Sequence, residues 1–175
     1  MPEDMMSQPL RLSGIVEESI VDGPGLRYVL FTQGCPHRCR GCHNPQTHSL
    51  EGGFLFTAKA ALEQFDGNPL LAGVTLSGGE PFLQAASLCA VAQGVHERGR
   101  TVVTYTGYTF ETLQEMAVRD PWIARLLDLT DLLIDGPYME ELRDMELRFR
   151  GSSNQRLLDR SGRKRLVAAL PVSAI

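Results

Sequence analysis

The sequence predicts an α/β protein, an open and partial (β/α) barrel, on three observations. Strand-like and helix-like stretches alternate along the chain, the pattern of a parallel sheet joined by helical crossovers. Residues suited to chemistry fall where the strand-like runs end, as on the carboxyl edge of such a sheet. The strand-like runs fall short of a closed eight-stranded barrel, so the sheet is expected to stay open.

Residues 1–10, with Pro2, Ser7 and Pro9, read as a flexible arm before a domain expected to span 11–160. Leu12-Ser-Gly-Ile-Val16 is the first strand, and Val21-Asp22-Gly23-Pro24-Gly25 is a turn. A second strand at 27–32 runs into a loop carrying Cys35, Cys39 and Cys42. Ala58, Ala61, Leu62 and Phe65 then recur at helical spacing behind an N-cap at Thr57, and Gly67-Asn68-Pro69 ends that helix. A strand at 74–76, a helix at 82–98 and a strand at 101–105 follow, with a turn at Gly107. In the helix at 82–98, Leu88, Val91, Ala92 and Val95 share one face, and Cys89 on its flank reads as a small packing residue. Helices near 111–118 and 122–129 lead to a strand at 131–134 that ends in Asp135-Gly136-Pro137. Gly151-Ser152-Ser153 has N-cap chemistry, so 154–156 also read as the first turn of a helix. Residues 161–175, rich in base at Arg163-Lys164-Arg165, form a tail or a last short strand.

A chain of 175 residues builds one domain with a core of its own. Its 43% hydrophobic and 22% charged content is that of a globular protein. With 17 basic against 21 acidic residues the net charge is −4, which argues against nucleic acid as the main partner. No apolar run approaches a membrane span, and the start Met1-Pro-Glu-Asp-Met-Met-Ser7 lacks the features of a signal peptide. The expected location is the cytoplasm, with no membrane partner, where thiols stay reduced and can hold metal.

The loop Cys35-Pro-His-Arg-Cys39-Arg-Gly-Cys42 is the most informative segment. A cubane [4Fe–4S] cluster takes one thiolate per iron. Three thiolates at this spacing can wrap three corners and leave one iron without a protein ligand. An open metal position belongs to a site that binds and transforms something. The plainer alternative is a structural zinc site with His37 or His43 as fourth ligand. An electron-transfer protein would need a fourth thiolate, and Cys89 is the spare one.

A second segment, Val74-Thr-Leu-Ser77-Gly78-Gly79-Glu80-Pro81, reads as a strand entering a tight turn. Adjacent glycines let backbone approach a ligand, and Glu80 offers an anionic acceptor for an ammonium group. Together the cysteine loop and Gly78-Gly79-Glu80 resemble the radical S-adenosylmethionine superfamily. The resemblance implies a partial barrel, a [4Fe–4S] cluster on Cys35, Cys39 and Cys42, and S-adenosyl-L-methionine chelating the open iron. Gly41, Cys42, His43, Gly78, Gly79 and Glu80, with Thr106 and Asp135, are the cofactor-binding candidates. Reductive cleavage of the sulfonium then supplies a carbon radical able to break an unactivated C–H bond, so no acid–base pair is required.

Further phrases narrow the resemblance. Val21-Asp22-Gly23-Pro24-Gly25 and Cys42-His43-Asn44-Pro45 are similar to glycyl-radical-enzyme activases. Tyr105-Thr106-Gly107-Tyr108, Asp135-Gly136-Pro137-Tyr138 and Arg150-Gly-Ser-Ser-Asn-Gln-Arg156 resemble the branch that acts on anaerobic ribonucleoside-triphosphate reductase. That implies as partner the large glycyl-radical subunit of the reductase, and a low-potential electron donor such as flavodoxin. Ser152 to Arg156 are candidates to touch cofactor or partner, and Arg148 and Arg150 to pair with acidic groups on the partner. His43 departs from the aromatic residue common after the third cysteine. The alternatives are an activase of another glycyl-radical enzyme or a small-molecule radical enzyme.

Overall fold

The computed structural model describes residues 6–169, with side chains as far as Arg165. Seven strands form one sheet: β1 (Pro9–Ser19), β2 (Arg27–Thr32), β3 (Phe54–Thr57), β4 (Gly73–Gly78), β5 (Thr101–Tyr105), β6 (Leu132–Asp135) and β7 (Arg156–Asp159). Their order is β3-β1-β2-β4-β5-β6-β7. The inner four, β2, β4, β5 and β6, are parallel, as the alternation predicts. Both β2 and β4 are buried on both faces, β2 through the continuous run Tyr28-Val-Leu-Phe31 and β4 with Val74 and Leu76 alternating with Thr75 and Ser77. Both edges of the sheet are antiparallel, β1 and β3 on one side and β7 on the other.

The helices are α1 (Ala58–Asp66), α2 (Ala85–Glu97), α3 (Phe110–Ala117), α4 (Pro121–Leu129) and α5 (Arg160–Ala169). Thr57 caps α1 by accepting from the Ala60 amide at 3.1 Å, and Ala58, Ala61, Leu62 and Phe65 are its buried face, as their spacing requires. Gly94 of α2 lets the two helices touch, since a Cβ there would lie 2.3 Å from Leu62 Cδ1. Cys89 is 2% exposed, with its thiol 3.6 Å from the Trp122 carbonyl and pushed up to about 12 by burial, so it packs α2 against α4. Leu30, Leu76 and Leu88 are fully buried in this core, each contributing about 1.5–3 kcal/mol.

Arg27 seals the amino end of the parallel strands. Its guanidinium is fully buried and donates to Thr75 Oγ1 (3.1 Å), Thr101 Oγ1 (2.8 Å), the Thr101 carbonyl (3.0 Å) and the Val74 carbonyl. Burial lowers its pKa to about 10, so it remains charged at neutral pH. Thr75 in turn donates to the Asp22 carbonyl at 2.8 Å, which ties the turn at 21–25 to β4.

The sheet starts earlier and ends later than expected. Pro9 and Leu10, assigned to an arm, pair with Thr57 and Phe56, and Leu10 is fully buried. Residues 1–5 of that arm lie outside the described residues. The four-residue β3 was not expected, because Phe54-Leu-Phe-Thr57 is a short edge strand without a buried face of its own. Residues 154–156 open no helix: Arg156 begins β7, in register with Asp135. The basic segment after Asp159 is neither strand nor loose tail but α5. The buried Arg163 guanidinium explains this, bonding the carbonyls of Leu158 (2.8 Å), Leu127 (3.4 Å) and Thr130 (2.5 Å). The Leu127 and Thr130 acceptors are distant in sequence, so they leave no signature in the segment itself. Residues 170–175 lie outside the described residues. No helix among those described is long and apolar enough to cross a membrane.

Candidate functional site

The cysteine loop leaves β2 at the carboxyl edge of the sheet and is tied back at its base. Gly34 donates to the Thr47 carbonyl at 2.8 Å, and Gln33 Nε2 to the carbonyls of Gln46 (3.1 Å) and Ser49 (2.7 Å). Left-handed backbone at Arg38 (φ +48°) and Gly41 (φ +71°) wraps the chain so that all three cysteines face one cavity. Backbone amides point at the sulfurs: Asn44 at Cys42 (3.4 Å), His37 and Arg38 at Cys35, and Tyr138 at Cys39. Burial pushes the Cys35 and Cys39 thiols up, and these amides pull the other way by stabilising thiolate. Such amide concavities suit iron–sulfur clusters. Among the described residues no three His, Cys, Asp or Glu side chains converge on a single ion. A cubane asks for no such convergence, because each thiolate binds its own iron.

The cavity measures about 540 Å³, within the usual size of small-molecule sites. Of the residues expected from sequence, Cys35, Cys39, Cys42, His43, Gly78, Gly79 and Thr106 line it. His43 lies 5.3 Å from the Tyr138 ring, tilted by 44°, and both face the cavity. Arg150, Tyr105, Asp22 and His48 line it too. His48 Nε2 and Arg150 Nε are buried and lack a hydrogen-bond partner.

Glu80 is not on the cavity wall. Its side chain is 0% exposed, and its oxygens accept from the Phe82 amide (3.1 Å), the Gly107 amide (2.9 Å) and His37 Nε2 (2.7 Å), with Thr106 Oγ1 3.0 Å from both. An ammonium group finds no free lone pair there, which corrects the acceptor role expected of it. Asp135 is likewise 0% exposed and off the wall, accepting from the Phe110 amide (2.7 Å) and Arg156 Nε (2.9 Å). Gly41 does not line the cavity either; it is needed for its positive φ and for the nearby Glu140 carboxylate. Gly78 and Gly79 do line the cavity, but the side chains they lack would point elsewhere. A Cβ at Gly78 (φ +96°) would meet Thr32 N at 2.5 Å, and one at Gly79 would meet the Gly34 carbonyl oxygen at 2.2 Å.

The segment 150–156 is a brace more than a contact surface. Gln155 Oε1 accepts from the amides of Gly151 (2.9 Å) and Ser152 (3.3 Å), while its Nε2 donates to the Gly136 carbonyl at 3.1 Å. Ser152 Oγ accepts from the Met139 amide at 3.2 Å, and Asn154 Nδ2 donates to the Pro137 carbonyl at 2.8 Å. Arg156 is taken up by Asp135 and by Glu111 (2.7 Å), which removes it as a partner contact. Sequence reading also missed the link from His37 to Glu80, which are 43 positions apart and carry no local signal.

An open, parallel-rich α/β sheet with three cysteines gathered at its strand ends defines a radical S-adenosylmethionine domain. The family described as a 4Fe-4S single cluster domain matches residues 21–158. An anaerobic ribonucleoside-triphosphate reductase-activating protein of Salmonella typhimurium is 35% identical over 144 residues, covering 78% of this chain and 90% of its own. Its namesake in Vibrio cholerae is 37% identical over 146 residues, covering 78% and 89%. A pyruvate formate-lyase-activating enzyme of Clostridium pasteurianum is 36% identical over 134 residues, but only 55% of its length is covered. The chain belongs to the single-cluster family, within the branch of anaerobic ribonucleoside-triphosphate reductase-activating proteins.

Proposed function

We propose that this chain is an activase that generates a glycyl radical on the large subunit of anaerobic ribonucleoside-triphosphate reductase. Cys35, Cys39 and Cys42 hold one [4Fe–4S] cluster, and S-adenosyl-L-methionine fills the rest of the cavity. The observation that carries this reading is the enclosure of one cavity by all three cysteines and the Gly78-Gly79 turn. The catalytic unit is the sheet and its helices from β1 to β7, and a low-potential donor such as flavodoxin supplies the electron.

The bound cluster and cofactor supply reductive sulfonium cleavage, and with it a radical strong enough to take hydrogen from carbon. The chain's own residues position and shield. Gly78 and Gly79 present bare backbone where the methionine end of the cofactor would lie. His43 and Tyr138 offer ring faces for adenine, a contact of stacking type. Arg150 lines the cavity, and a guanidinium there is suited to a carboxylate. Ile20 and Val21 at the mouth are 78% and 70% exposed, an apolar rim that a docked protein would cover and dry. The sheet does not close, so a segment of another protein can reach the cavity from the side.

The test is anaerobic reconstitution followed by reduction with S-adenosyl-L-methionine and the reductase subunit present. The expected result is four irons per chain, 5′-deoxyadenosine, and a glycyl radical on the subunit by electron paramagnetic resonance. Ala at Cys35, Cys39 or Cys42 should abolish all three, while Cys89→Ala keeps the cluster. Iron loss in Cys89→Ala as complete as in Cys42→Ala would refute the three-ligand site. Turnover of a free small molecule with no radical on the subunit would refute the activase reading.

A further inference from the structure

Glu80 is excluded from the cavity, yet it binds together the elements that make it. Its donors at Phe82, Thr106 and Gly107 belong to the turn after β4 and to the end of β5. The fourth donor, His37 Nε2 at 2.7 Å, comes from the cysteine loop, between Cys35 and Cys39. An ionised carboxylate only accepts, so the imidazole donates through Nε2.

The His37 ring is confined from three sides. It is 15% exposed and meets Tyr108 edge-on, with ring centroids 4.4 Å apart. Gly107 lies directly against it, where a Cβ would come within 2.3 Å of Cδ2 and 2.6 Å of Nε2. The ring therefore has one seat, and that seat exists because residue 107 has no side chain. Tethers at Gln33, at Gly34 and at the Cys35 amide (3.4 Å from the His48 carbonyl) hold one end of the arc from Cys35 to Cys39 and the Tyr138 amide at Cys39 the other, so its middle depends on His37. His37 is the side chain within that arc that reaches the ends of β4 and β5.

We propose that the His37–Glu80 bond is a positioning contact that locks the Cys35–Cys39 arc onto the carboxyl ends of β4 and β5. It thereby fixes where the cluster's open iron stands relative to the Gly78-Gly79 turn, and so sets affinity for S-adenosyl-L-methionine. Glu80 does not line the cavity, whereas His37 does, so the cofactor titration is read together with the exchange of metal-free protein. The proposal rests on the function proposed above for the loaded protein, but the lock itself is a property of the chain. It opposes the simpler idea that Glu80 ligates the cofactor's ammonium group. Under that idea removing His37 frees an oxygen and tightens binding; under the lock, binding weakens.

The experiment compares wild type with His37→Ala, His37→Gln and Gly107→Ala. In reconstituted protein, S-adenosyl-L-methionine is titrated against the resonance spectrum of the reduced cluster. His37→Ala should keep its iron and weaken binding about tenfold, the effect of one lost charge-assisted hydrogen bond. Glutamine restores a donor and should recover most of that loss. Gly107→Ala displaces the ring without removing it and should match His37→Ala. In metal-free protein, amide exchange across residues 35–42 should quicken about tenfold in His37→Ala, by the same loss. Unchanged or tighter binding, no rescue by glutamine, loss of iron in His37→Ala, or unchanged exchange would each overturn the proposal. Failure of wild type to bind the cofactor would fall on the proposed function, and the exchange comparison would still judge the lock.

Discussion

Replacing Gly79 by alanine adds one methyl at the most crowded backbone junction of the site. That Cβ would lie 2.2 Å from the Gly34 carbonyl oxygen, 2.9 Å from its carbon and 3.0 Å from the Thr32 carbonyl oxygen. The first contact is roughly 1 Å inside van der Waals distance, and both neighbours are backbone, so neither can swing away. Overpacking of this kind costs about 1–3 kcal/mol. The same shift strains the bond from the Glu80 amide to the Gly34 carbonyl (2.8 Å), worth about 1 kcal/mol more. A loss of about 2–4 kcal/mol lowers the Tm of a chain this size by about 4–16 °C. Because Gly34 directly precedes Cys35, cluster occupancy should fall as well. Thermal unfolding of metal-free protein by circular dichroism, with iron and sulfide analysis after reconstitution, measures both. A Gly79→Ala protein with unchanged Tm and full iron that fails only in cofactor binding would refute the packing argument. It would return Gly79 to the simpler role of making room for a ligand.

Arg156→Ala should destabilise rather than merely disturb partner binding, because it strips the fully buried Asp135 carboxylate of its cation; breaking such a pair costs about 3–5 kcal/mol, read from urea unfolding. Unchanged stability with impaired radical transfer would show that Arg156 faces the partner after all. Asp131 supplies a pH-dependent test: burial raises its carboxyl, but the Val102 amide, His96 and Arg160 outweigh that and hold it below the ordinary 3.8. The stability it contributes is therefore complete above pH 3.8 and lost as pH falls through the depressed value. Asp131→Asn should be less stable at neutral pH, with a shallower acid limb below pH 4; a curve that is merely shifted down, parallel to wild type, would refute the linkage.

What could be read in the sequence was local. The face of α1, the cap at Thr57, the cysteine arc and the position of Gly78-Gly79 all depend on neighbours a few residues away. The parallel core of the sheet followed from alternation alone. What escaped was decided at a distance. A buried carboxylate and a ligand-facing one look alike in sequence, and Glu80 and Asp135 were sorted only by donors at His37, Thr106 and Arg156. The basic stretch of α5 looked like a tail because two of the carbonyls that receive Arg163 belong to α4 and its end. The edge strands β3 and β7 are four residues each, too short for any period to stand out.

The arrangement of strands also distributes the rate at which the site opens. Amides of β2, β4 and β5 lie inside the sheet with a paired strand on either side, whereas β3 and β7 are paired on one side only. Exchange with solvent therefore divides the cavity wall. The cysteines and the Gly78-Gly79 turn hang from inner strands paired on both sides, and residues 147–150 precede β7, an edge strand paired on one side. A cluster held by the three cysteines would thus rest on strands whose amides are expected to exchange more slowly than those of the edges.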